Sequence, residues 1–182
     1  MKKVLLTLAL LALVSVSLGR AAGAAEGKKG LVVYFSRSGN TQTVAQEIQK
    51  QTGADIFRIE PVQPYPNEYG AATELAKKEK NAAARPAIAN EIKNLGEYDV
   101  IYLGYPIWWG DMPMIVYSFL DQYDLSGKVI APFCTHSGSG ICDTVGKIRA
   151  LEPNAQVLDG LEIYGSQAQE AAAKVADWLN KK

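Results

Sequence analysis

The sequence predicts an α/β fold in which a parallel sheet carries helices on both faces. Short apolar segments alternate with segments whose apolar residues recur at helical spacing, and this alternation repeats along the chain. The first apolar segment, residues 31–35, has no polar interruption, which is typical of a strand covered on both faces. The 182 residues, less a predicted leader of 25, leave 157, the length of one domain.

The first two predicted strands are each followed by a predicted helix. After the strand at residues 31–35, Val44 and Ile48 lie at helical spacing. Residues 54–60 form the second predicted strand. Residues 67–80, which are rich in Ala, Glu and Lys, form the helix after it.

The later elements continue the same alternation. Pro86 interrupts the chain before a short predicted helix at residues 87–94. Further strands are predicted at residues 99–104, 129–133 and 156–163, and further helices at residues 114–122, 141–151 and 167–180. The last helix is amphipathic, with one face formed by Ala172, Val175, Ala176 and Leu179. Five strands joined by helical crossovers predict three layers.

Residues 1–25 have the pattern of a secretory signal peptide. Lys2 and Lys3 precede an apolar run of 16 residues, and small residues follow at 22–24. An uncleaved membrane anchor is the alternative, but the run is shorter than the roughly 20 residues that span a bilayer. We therefore expect a mature domain at residues 26–182, exported to the periplasm or outside the cell, with no stable membrane anchor after cleavage.

The mature chain carries 16 basic and 19 acidic side chains, a net charge of −3. Nucleic-acid binding normally requires a basic patch that displaces counterions from phosphates. We therefore expect no nucleic-acid partner.

The chain has two cysteines, Cys134 and Cys142. Their number and spacing do not fit a zinc site, but an oxidising compartment would allow a disulfide between them. The alternative is that Cys134 ends a buried strand and packs as a small apolar side chain. The sequence leaves both interpretations open.

The first loop of functional interest is residues 36–41, between a predicted strand and a predicted helix. Ligands of open parallel sheets lie beyond the carboxyl ends of the strands. The hydroxyls, amide and glycine of this loop, with the free N–H groups of a helix start, favour a phosphate. The alternative is that Ser38, Asn40 or Thr41 only caps the helix. The glycine patterns of nucleoside triphosphatases and of dinucleotide-binding proteins are both missing.

The second loop, residues 105–113, contains the adjacent tryptophans Trp108 and Trp109. Consecutive residues of an extended loop point in opposite directions, so one tryptophan can pack inward while the other faces a ligand. Stacking of a flat ligand gains about 0.5–1.5 kcal/mol beyond burial. The alternative is that both tryptophans only cover the end of the sheet.

The third loop, residues 135–140, offers backbone N–H groups and small hydroxyls to the polar edge of a planar ring. His136, the single histidine of the chain, is expected to be a loop residue rather than a base or a metal ligand. Ser137 and Ser139 only loosely imitate the nucleophile elbow of hydrolases, so we expect no hydrolase activity.

Together, the three loops predict a ligand with a phosphate at one end and a hydrogen-bonding aromatic plate at the other. Flavin mononucleotide, FMN, meets this description. Paired carboxylates for acid–base catalysis are not apparent in these loops. We therefore predict no catalytic residue and no metal, and the cofactor would supply the chemistry.

Two of these loops resemble those of flavodoxins. The motif Ser36-x-Ser38-Gly39-Asn40-Thr41 resembles the flavodoxin phosphate loop, and the segment Tyr105-Pro106-Ile107-Trp108-Trp109-Gly110 resembles the first ring-binding loop. The resemblance extends over residues 28–182. It implies the flavodoxin-like, doubly wound fold, with a five-stranded parallel sheet in the order 2-1-3-4-5 and non-covalent FMN.

The resemblance also implies which residues bind FMN. The implied phosphate contacts are Ser36, Arg37, Ser38, Gly39, Asn40 and Thr41, with Arg37 contributing through its backbone. The implied contacts of the first ring loop are Pro106, Ile107, Trp108, Trp109 and Gly110, with Trp108 at the stacking position. Those of the second ring loop are Thr135, His136, Ser137, Gly138, Ser139 and Gly140.

The sequence also departs from the flavodoxin pattern. Flavodoxins often place a tyrosine in the second ring loop, and residues 135–141 contain none, so the other flavin face would be open or covered by Tyr65 or Tyr69. No long insertion divides the last predicted strand, which is typical of the short type. Flavodoxins are usually strongly acidic and cytoplasmic, unlike this chain.

Three functions remain at this point. The first is an FMN-binding electron-transfer protein whose partner is an unidentified redox protein or small-molecule acceptor. The second is an FMN-dependent reductase that takes hydride from NAD(P)H and passes it to a quinone-type acceptor. The third is a flavin-free binding or scaffold module, because flavin is scarce outside the cytoplasm.

Overall fold

A computed structural model describes residues 28–181 as a three-layer α/β fold. The predicted leader at residues 1–25 lies outside the described residues. Within residues 28–181, none of the helices combines the length and the apolar character needed to cross a bilayer.

The described chain contains six strands and five α-helices. The strands are β1 (Gly30–Tyr34), β2 (Asp55–Arg58), β3 (Val100–Pro106), β4 (Val129–His136), β5 (Gln156–Val157) and β6 (Leu161–Tyr164). The helices are α1 (Asn40–Thr52), α2 (Tyr69–Asn81), α3 (Met114–Gln122), α4 (Thr144–Leu151) and α5 (Ala172–Leu179). Two 3-10 helices cover Leu95–Glu97 and Gly165–Glu170.

The sheet is parallel and its strand order is β2-β1-β3-β4-β5, which confirms the predicted order. The predicted last strand is divided: β5 pairs with the first part of β4, and β6 pairs with its second part. The break at residues 158–160 packs closely against its neighbours. The Asp159 carbonyl accepts from the Trp178 indole (3.1 Å), and a Cβ on Gly160 would lie 2.2 Å from the Ile141 side chain.

The sheet separates two apolar clusters. Val32 and Val33 are both fully buried, but Val32 packs in the cluster with α1 and α5, whereas Val33 packs in the cluster with α3 and α4. Because both faces of β1 are covered, the strand needs apolar residues at every position. This explains the uninterrupted apolar run at residues 31–35.

The prediction of a short helix at residues 87–94 is wrong. Ile88 instead forms an antiparallel bridge with Pro61. The Asn90 side chain accepts from the Glu60 amide (3.1 Å) and donates to the Arg58 carbonyl (2.8 Å). This segment satisfies backbone groups at the end of β2, and that tertiary requirement overrides its local helical preference.

Two helix boundaries also differ from the prediction. The helix predicted at residues 141–151 begins at Thr144, and the first part of the helix predicted at residues 167–180 is the 3-10 helix Gly165–Glu170. The helix predicted at residues 114–122 is confirmed as α3.

Candidate functional site

The register of the sheet brings the three predicted loops to one edge. Pro106 at the end of β3 lies beside Thr135 near the end of β4, and the amide of Ile107 donates to the Thr135 carbonyl (2.8 Å). The hydroxyls of Thr41 and Thr135 are hydrogen-bonded at 2.8 Å in a buried position. The first and third loops are therefore in direct contact, and the second loop leaves the sheet beside them.

The first loop ends at an uncapped helix start. Gly39 has a φ of 92°, and its amide donates to the Ser36 hydroxyl (3.2 Å). No side chain caps α1, so the interpretation in which Ser38, Asn40 or Thr41 is only a helix cap is not what the structure shows. A Cβ on Gly39 would meet nothing within 4 Å, so the surroundings of this helix start are open. Uncapped N–H groups and the helix dipole suit an anion such as a phosphate.

Arg37 connects the first loop to α2. Its guanidinium donates to the carbonyls of Pro66 and Asn67, both at 3.1 Å, and lies 6.0 Å from the Tyr69 ring. These contacts direct the side chain toward the connection that precedes α2. The side chain of Arg37 is therefore engaged away from the start of α1.

The second loop forms a tight turn that we call the aromatic hairpin, residues 108–111. The amides of Trp108 and Asp111 each donate to the other residue's carbonyl, at 2.8 and 3.0 Å. Both residues at the tip, Trp109 and Gly110, have positive φ values, 52° and 71°. This conformation favours glycine and costs a non-glycine residue about 1–2 kcal/mol. Trp109 is therefore held in a strained position by the contacts around it.

The two tryptophans have different environments. Trp108 packs edge-on against Phe35 and Tyr65, with ring centroids 5.5 and 5.0 Å away. Trp109 is 47% exposed, its indole N–H donates to the Thr73 carbonyl (3.0 Å), and Lys77 lies 5.1 Å from its ring. One tryptophan thus packs inward and the other lies against α2 at the surface.

A buried carboxylate, Asp111, fixes the hairpin to three helices. Its Oδ1 accepts from the Tyr117 hydroxyl of α3 (2.8 Å), and its Oδ2 pairs with Lys147 of α4 and with Lys80 of α2 (3.8 Å). Lys80 also donates to the Trp109 carbonyl (2.5 Å). Burial, with the Asp111 hydrogen bond, raises the pKa of Tyr117, so its hydroxyl remains a donor. Sequence reasoning missed Asp111, although a lone carboxylate directly after Trp-Trp-Gly was visible.

The third loop is organised by His136, and we call residues 136–140 the histidine loop. The Nδ1 atom of His136 accepts from the amides of Gly138 (3.0 Å) and Gly140 (3.2 Å), which places the proton of the neutral ring on Nε2. The prediction of His136 as a loop residue is wrong, because β4 extends through Thr135 to His136, which pairs with Tyr164 of β6. The Ser139 hydroxyl donates to the Gly140 carbonyl, so these contacts do not form a Ser–His pair.

Tyr164 at the end of β6 is a residue that sequence reasoning missed. Its hydroxyl donates to the Ser137 carbonyl (3.1 Å), and its ring lies 5.3 Å from the His136 ring. It supplies a tyrosine beside the histidine loop, whereas residues 135–141 contain none. The strand-end rule would have identified it, because Tyr164 directly follows the last predicted strand.

The two tyrosines suggested as a cover for the flavin lie in different places. Tyr65 is buried behind Trp108, and its hydroxyl donates to Glu79 (2.7 Å). Burial raises the pKa of Glu79, and the Tyr65 hydrogen bond opposes this effect. Tyr69 is 75% exposed and stands at the mouth of a pocket.

That pocket lies between α2 and the aromatic hairpin, and we call it the α2 pocket. It has a volume of about 240 Å³. Its lining residues are Arg37, Tyr69, Ala72, Thr73, Ala76, Ile107, Trp108 and Trp109. It therefore joins members of the first two predicted loops with α2, but its lining includes no residue of the third loop.

Both cysteines are free thiols in the structure. Cys134 is buried, and burial raises its pKa to about 12, whereas Cys142 is exposed. Cys134 therefore behaves as the small apolar side chain of the second interpretation. Within residues 28–181, His, Cys, Asp and Glu form no cluster of three that could hold a metal.

Comparisons with known proteins identify a family. The flavodoxin family model matches residues 29–182. Flavodoxin 1 of Shigella flexneri is 27% identical over 145 residues, which are 70% of this chain and 64% of that protein. The chain thus spans just under two thirds of this relative's length. An NAD(P)H dehydrogenase (quinone) of Acidovorax ebreus is 33% identical over 117 residues, 58% of this chain and 54% of that protein.

Solved structures agree with this fold. A crystal structure from Bacteroides eggerthii, assigned as a flavoprotein, is 31% identical with a TM-score of 0.70, covering 82% of this chain and 98% of that chain. The flavoprotein of Lactobacillus acidophilus in complex with FMN is 21% identical with a TM-score of 0.63, covering 79% and 97% of the two chains.

Proposed function

Since this chain belongs to the flavodoxin family, we propose that it binds FMN non-covalently and transfers electrons between a redox partner and an acceptor. One observation carries the proposal. The uncapped start of α1 and the aromatic hairpin lie at the same edge of the sheet, and the buried Thr41–Thr135 hydrogen bond joins the first loop to the third. An anion site and an aromatic site at one edge match the two ends of FMN.

The residues present fit this cofactor. The backbone N–H groups and hydroxyls of residues 36–41 would hold the phosphate, and residues 106–110 and 135–140 would contact the ring. When bound, FMN supplies the electron-accepting and electron-donating chemistry. The protein's own residues bind it, orient it and shield one side from water.

The visible absorption spectrum of the purified mature protein tests this proposal. A yellow protein, or a colourless one that regains flavin absorption when FMN is added, supports FMN binding. A colourless protein that cannot be reconstituted would leave the binding or scaffold module as the function.

An FMN-dependent reductase is the second candidate. The α2 pocket beside the aromatic hairpin offers space for a small second substrate. The similarity to the NAD(P)H dehydrogenase (quinone) of Acidovorax ebreus also supports the reductase candidate. Anaerobic stopped-flow mixing of the FMN-loaded protein with NADPH separates the two candidates: rapid direct bleaching of the flavin indicates a reductase, and an unchanged spectrum indicates an electron carrier.

We also propose that the chain is exported with removal of its leader. The basic start, the apolar run of 16 residues and the small residues at 22–24 support this proposal. N-terminal sequencing of the protein from the native cell should give a start near residue 26. A start at Met1 in membrane fractions would indicate the anchor instead.

A further inference from the structure

The histidine loop closes on a single side-chain atom. The Nδ1 atom of His136 accepts from the amides of Gly138 (3.0 Å) and Gly140 (3.2 Å). Both glycines have positive φ values, 119° and 67°, which glycine adopts at no steric cost. These turns bring two amides, separated by one residue, to the same atom. The loop is therefore folded around the lone pair of one imidazole nitrogen.

The peptide unit between Ser137 and Gly138 is held at both of its ends. Its carbonyl accepts from the Tyr164 hydroxyl (3.1 Å), and its amide donates to His136. The Tyr164 ring also lies edge-on to the His136 ring, with the centroids 5.3 Å apart. The orientation of this peptide thus depends on two side chains from the neighbouring strands β4 and β6.

The same contacts determine which amides the loop can offer to a ligand. The amides of Gly138 and Gly140 are used by His136, whereas those of Ser137 and Ser139 have no hydrogen-bond partner within residues 28–181. The two serines are also exposed. The histidine loop therefore leaves alternate amides available, at the edge of the sheet where the flavin ring of the proposed function would lie.

Protonation of His136 would act on the atom that holds the loop. The neutral ring carries its proton on Nε2, so an added proton enters at Nδ1 and converts this acceptor into a donor. Two amide donors would then face a third N–H group. Histidine changes charge between about pH 5 and 8. The two bonds are therefore complete at the upper end of this range and are lost as the pH falls through it.

A carboxylate packs against the other end of the loop. The Glu162 side chain of β6 accepts from the Ile141 amide (2.9 Å), and a Cβ on Gly140 would lie 2.9 Å from its Oε2 atom. Glu162 thus holds the residue that follows the loop, by a bond of its own. Because carboxyl groups titrate below the histidine range, this bond and those of His136 respond to different pH values.

The remaining neighbours of the loop are neutral in the histidine range. Tyr164 of β6 and Cys142, whose thiol donates to the Ser139 carbonyl (3.5 Å), belong to classes that titrate above it. On the side of α1, the uncharged Asn40 lies near the His136 carbonyl, since both approach the Cβ position of Gly165 (2.8 and 3.5 Å). His136 is therefore the group whose charge changes in this range.

We propose that His136 is a positioning residue of the FMN site: its neutral Nδ1 atom holds the ring loop, its protonation releases the loop, and the affinity for FMN falls in mild acid. This inference rests on the proposed function and deepens it, because it couples flavin binding to the binding of one proton. By the reciprocity of linked equilibria, bound FMN would in turn favour the neutral imidazole.

The amide resonances of Gly138 and Gly140 test the loop without FMN. They are followed by NMR in the mature protein from about pH 8 to about pH 5. In the wild type we expect both resonances to shift through one shared titration. His136→Asn should abolish this titration, because the asparagine oxygen occupies the place of Nδ1 and does not titrate. Glu162→Gln is the matched control and should retain it.

The affinity for FMN at the two ends of this pH range tests the coupling, by fluorescence quenching of added FMN. The phosphate of FMN also titrates in this range, so variants are compared with one another. The fall in affinity on acidification should be about tenfold larger in the wild type than in His136→Asn, and Glu162→Gln should show the wild-type fall. At the upper end of the range, His136→Asn should bind FMN more tightly than His136→Ala, because it keeps an acceptor.

The proposal is overturned if the two glycine resonances do not titrate in the wild type, or titrate equally in His136→Asn. It is also overturned if FMN affinity falls equally in these two proteins, or if His136→Asn and His136→Ala bind FMN equally at the upper end of the range. Thermal unfolding at both pH values checks that each variant is folded. A wild type that binds no FMN at either pH refutes the proposed function, whereas the glycine resonances report the loop in the same sample, so the two failures are distinguishable.

Discussion

The aromatic hairpin and the histidine loop lie at the same edge of the sheet but are held by different means. The hairpin is tied through Asp111 to α2, α3 and α4. The histidine loop is held mainly by the ring of His136, which accepts two amides of its own loop, and by Tyr164. The geometry of the hairpin therefore depends on the packing of three helices, whereas that of the histidine loop depends on its own histidine and on β6.

Asp111→Ala should have the largest effect, because it removes the tie between the hairpin and the helices. Its loss leaves Tyr117 without its acceptor and Lys80 and Lys147 without their counter-ion, a cost of about 2–4 kcal/mol in the free energy of unfolding. Urea unfolding measures this cost. The exposed Asp159, which pairs with Arg149 at the surface, provides the control, and Asp159→Ala should cause no measurable change. Equal stability of the Asp111 variant and wild type would show that the hairpin does not rely on this tie.

Trp108→Ala should weaken FMN binding by about 1–3 kcal/mol, because it removes the aromatic surface at the stacking position. Fluorescence quenching of added FMN measures the affinity. Trp178→Phe, in the cluster between α5 and the sheet, is the matched control and should retain full FMN affinity. A Trp108 variant that binds FMN as tightly as wild type would contradict a ring site at the hairpin.

His136→Ala should open only the histidine loop. Loss of the Nδ1 acceptor should reduce the protection of the Gly138 and Gly140 amides from hydrogen exchange by about 1–2 kcal/mol. The amides of Trp108 and Asp111 in the hairpin serve as internal controls and should keep their wild-type protection. Loss of protection in both regions would show that they are one cooperative unit.

The smallest effect concerns Glu79, which supports the hairpin through Tyr65 and Trp108. Burial raises the pKa of Glu79 above its ordinary 4.5, so the folded protein favours the protonated carboxyl. Its contribution to stability is complete below that ordinary value and is lost as the pH rises through the raised pKa.

Glu79→Gln should therefore remove a shallow decline in stability between mildly acidic and neutral pH. Urea unfolding across this range measures the decline, and Glu74→Gln, at an exposed position of α2, should retain it. An unchanged pH profile in the Glu79 variant would exclude this carboxyl as the source.

The sequence predicted the strands and loops that are marked by neighbouring residues along the chain. The apolar run of β1 and the turn residues after β1, β3 and β4 were sufficient for the three loops, because parallel strands end at one edge. The strand order was implied by the resemblance to flavodoxins. The bonds of Asn90 to the end of β2 could not be predicted, since they join residues about 30 positions apart. Propensity at residues 87–94 predicted a helix that this pairing prevents.

The site was predicted less completely than the fold. Loop residues after each strand were identified by position, but the tie of Asp111 to Lys147 and the contact of Tyr164 with the histidine loop depend on helix packing and on the divided last strand. The α2 pocket was also not predicted, because α2 is not part of a strand-end loop. The sequence pattern locates the edge of the sheet and not the elements that pack over it.

Titration of the flavin-free protein with FMN and with riboflavin shows whether the start of α1 and the hairpin bind one ligand together. We expect FMN to bind at least 100-fold more tightly than riboflavin, about 2.7 kcal/mol, because riboflavin lacks the phosphate that the start of α1 would hold. Equal affinity for the two flavins would show that the uncapped helix start does not contribute to the site.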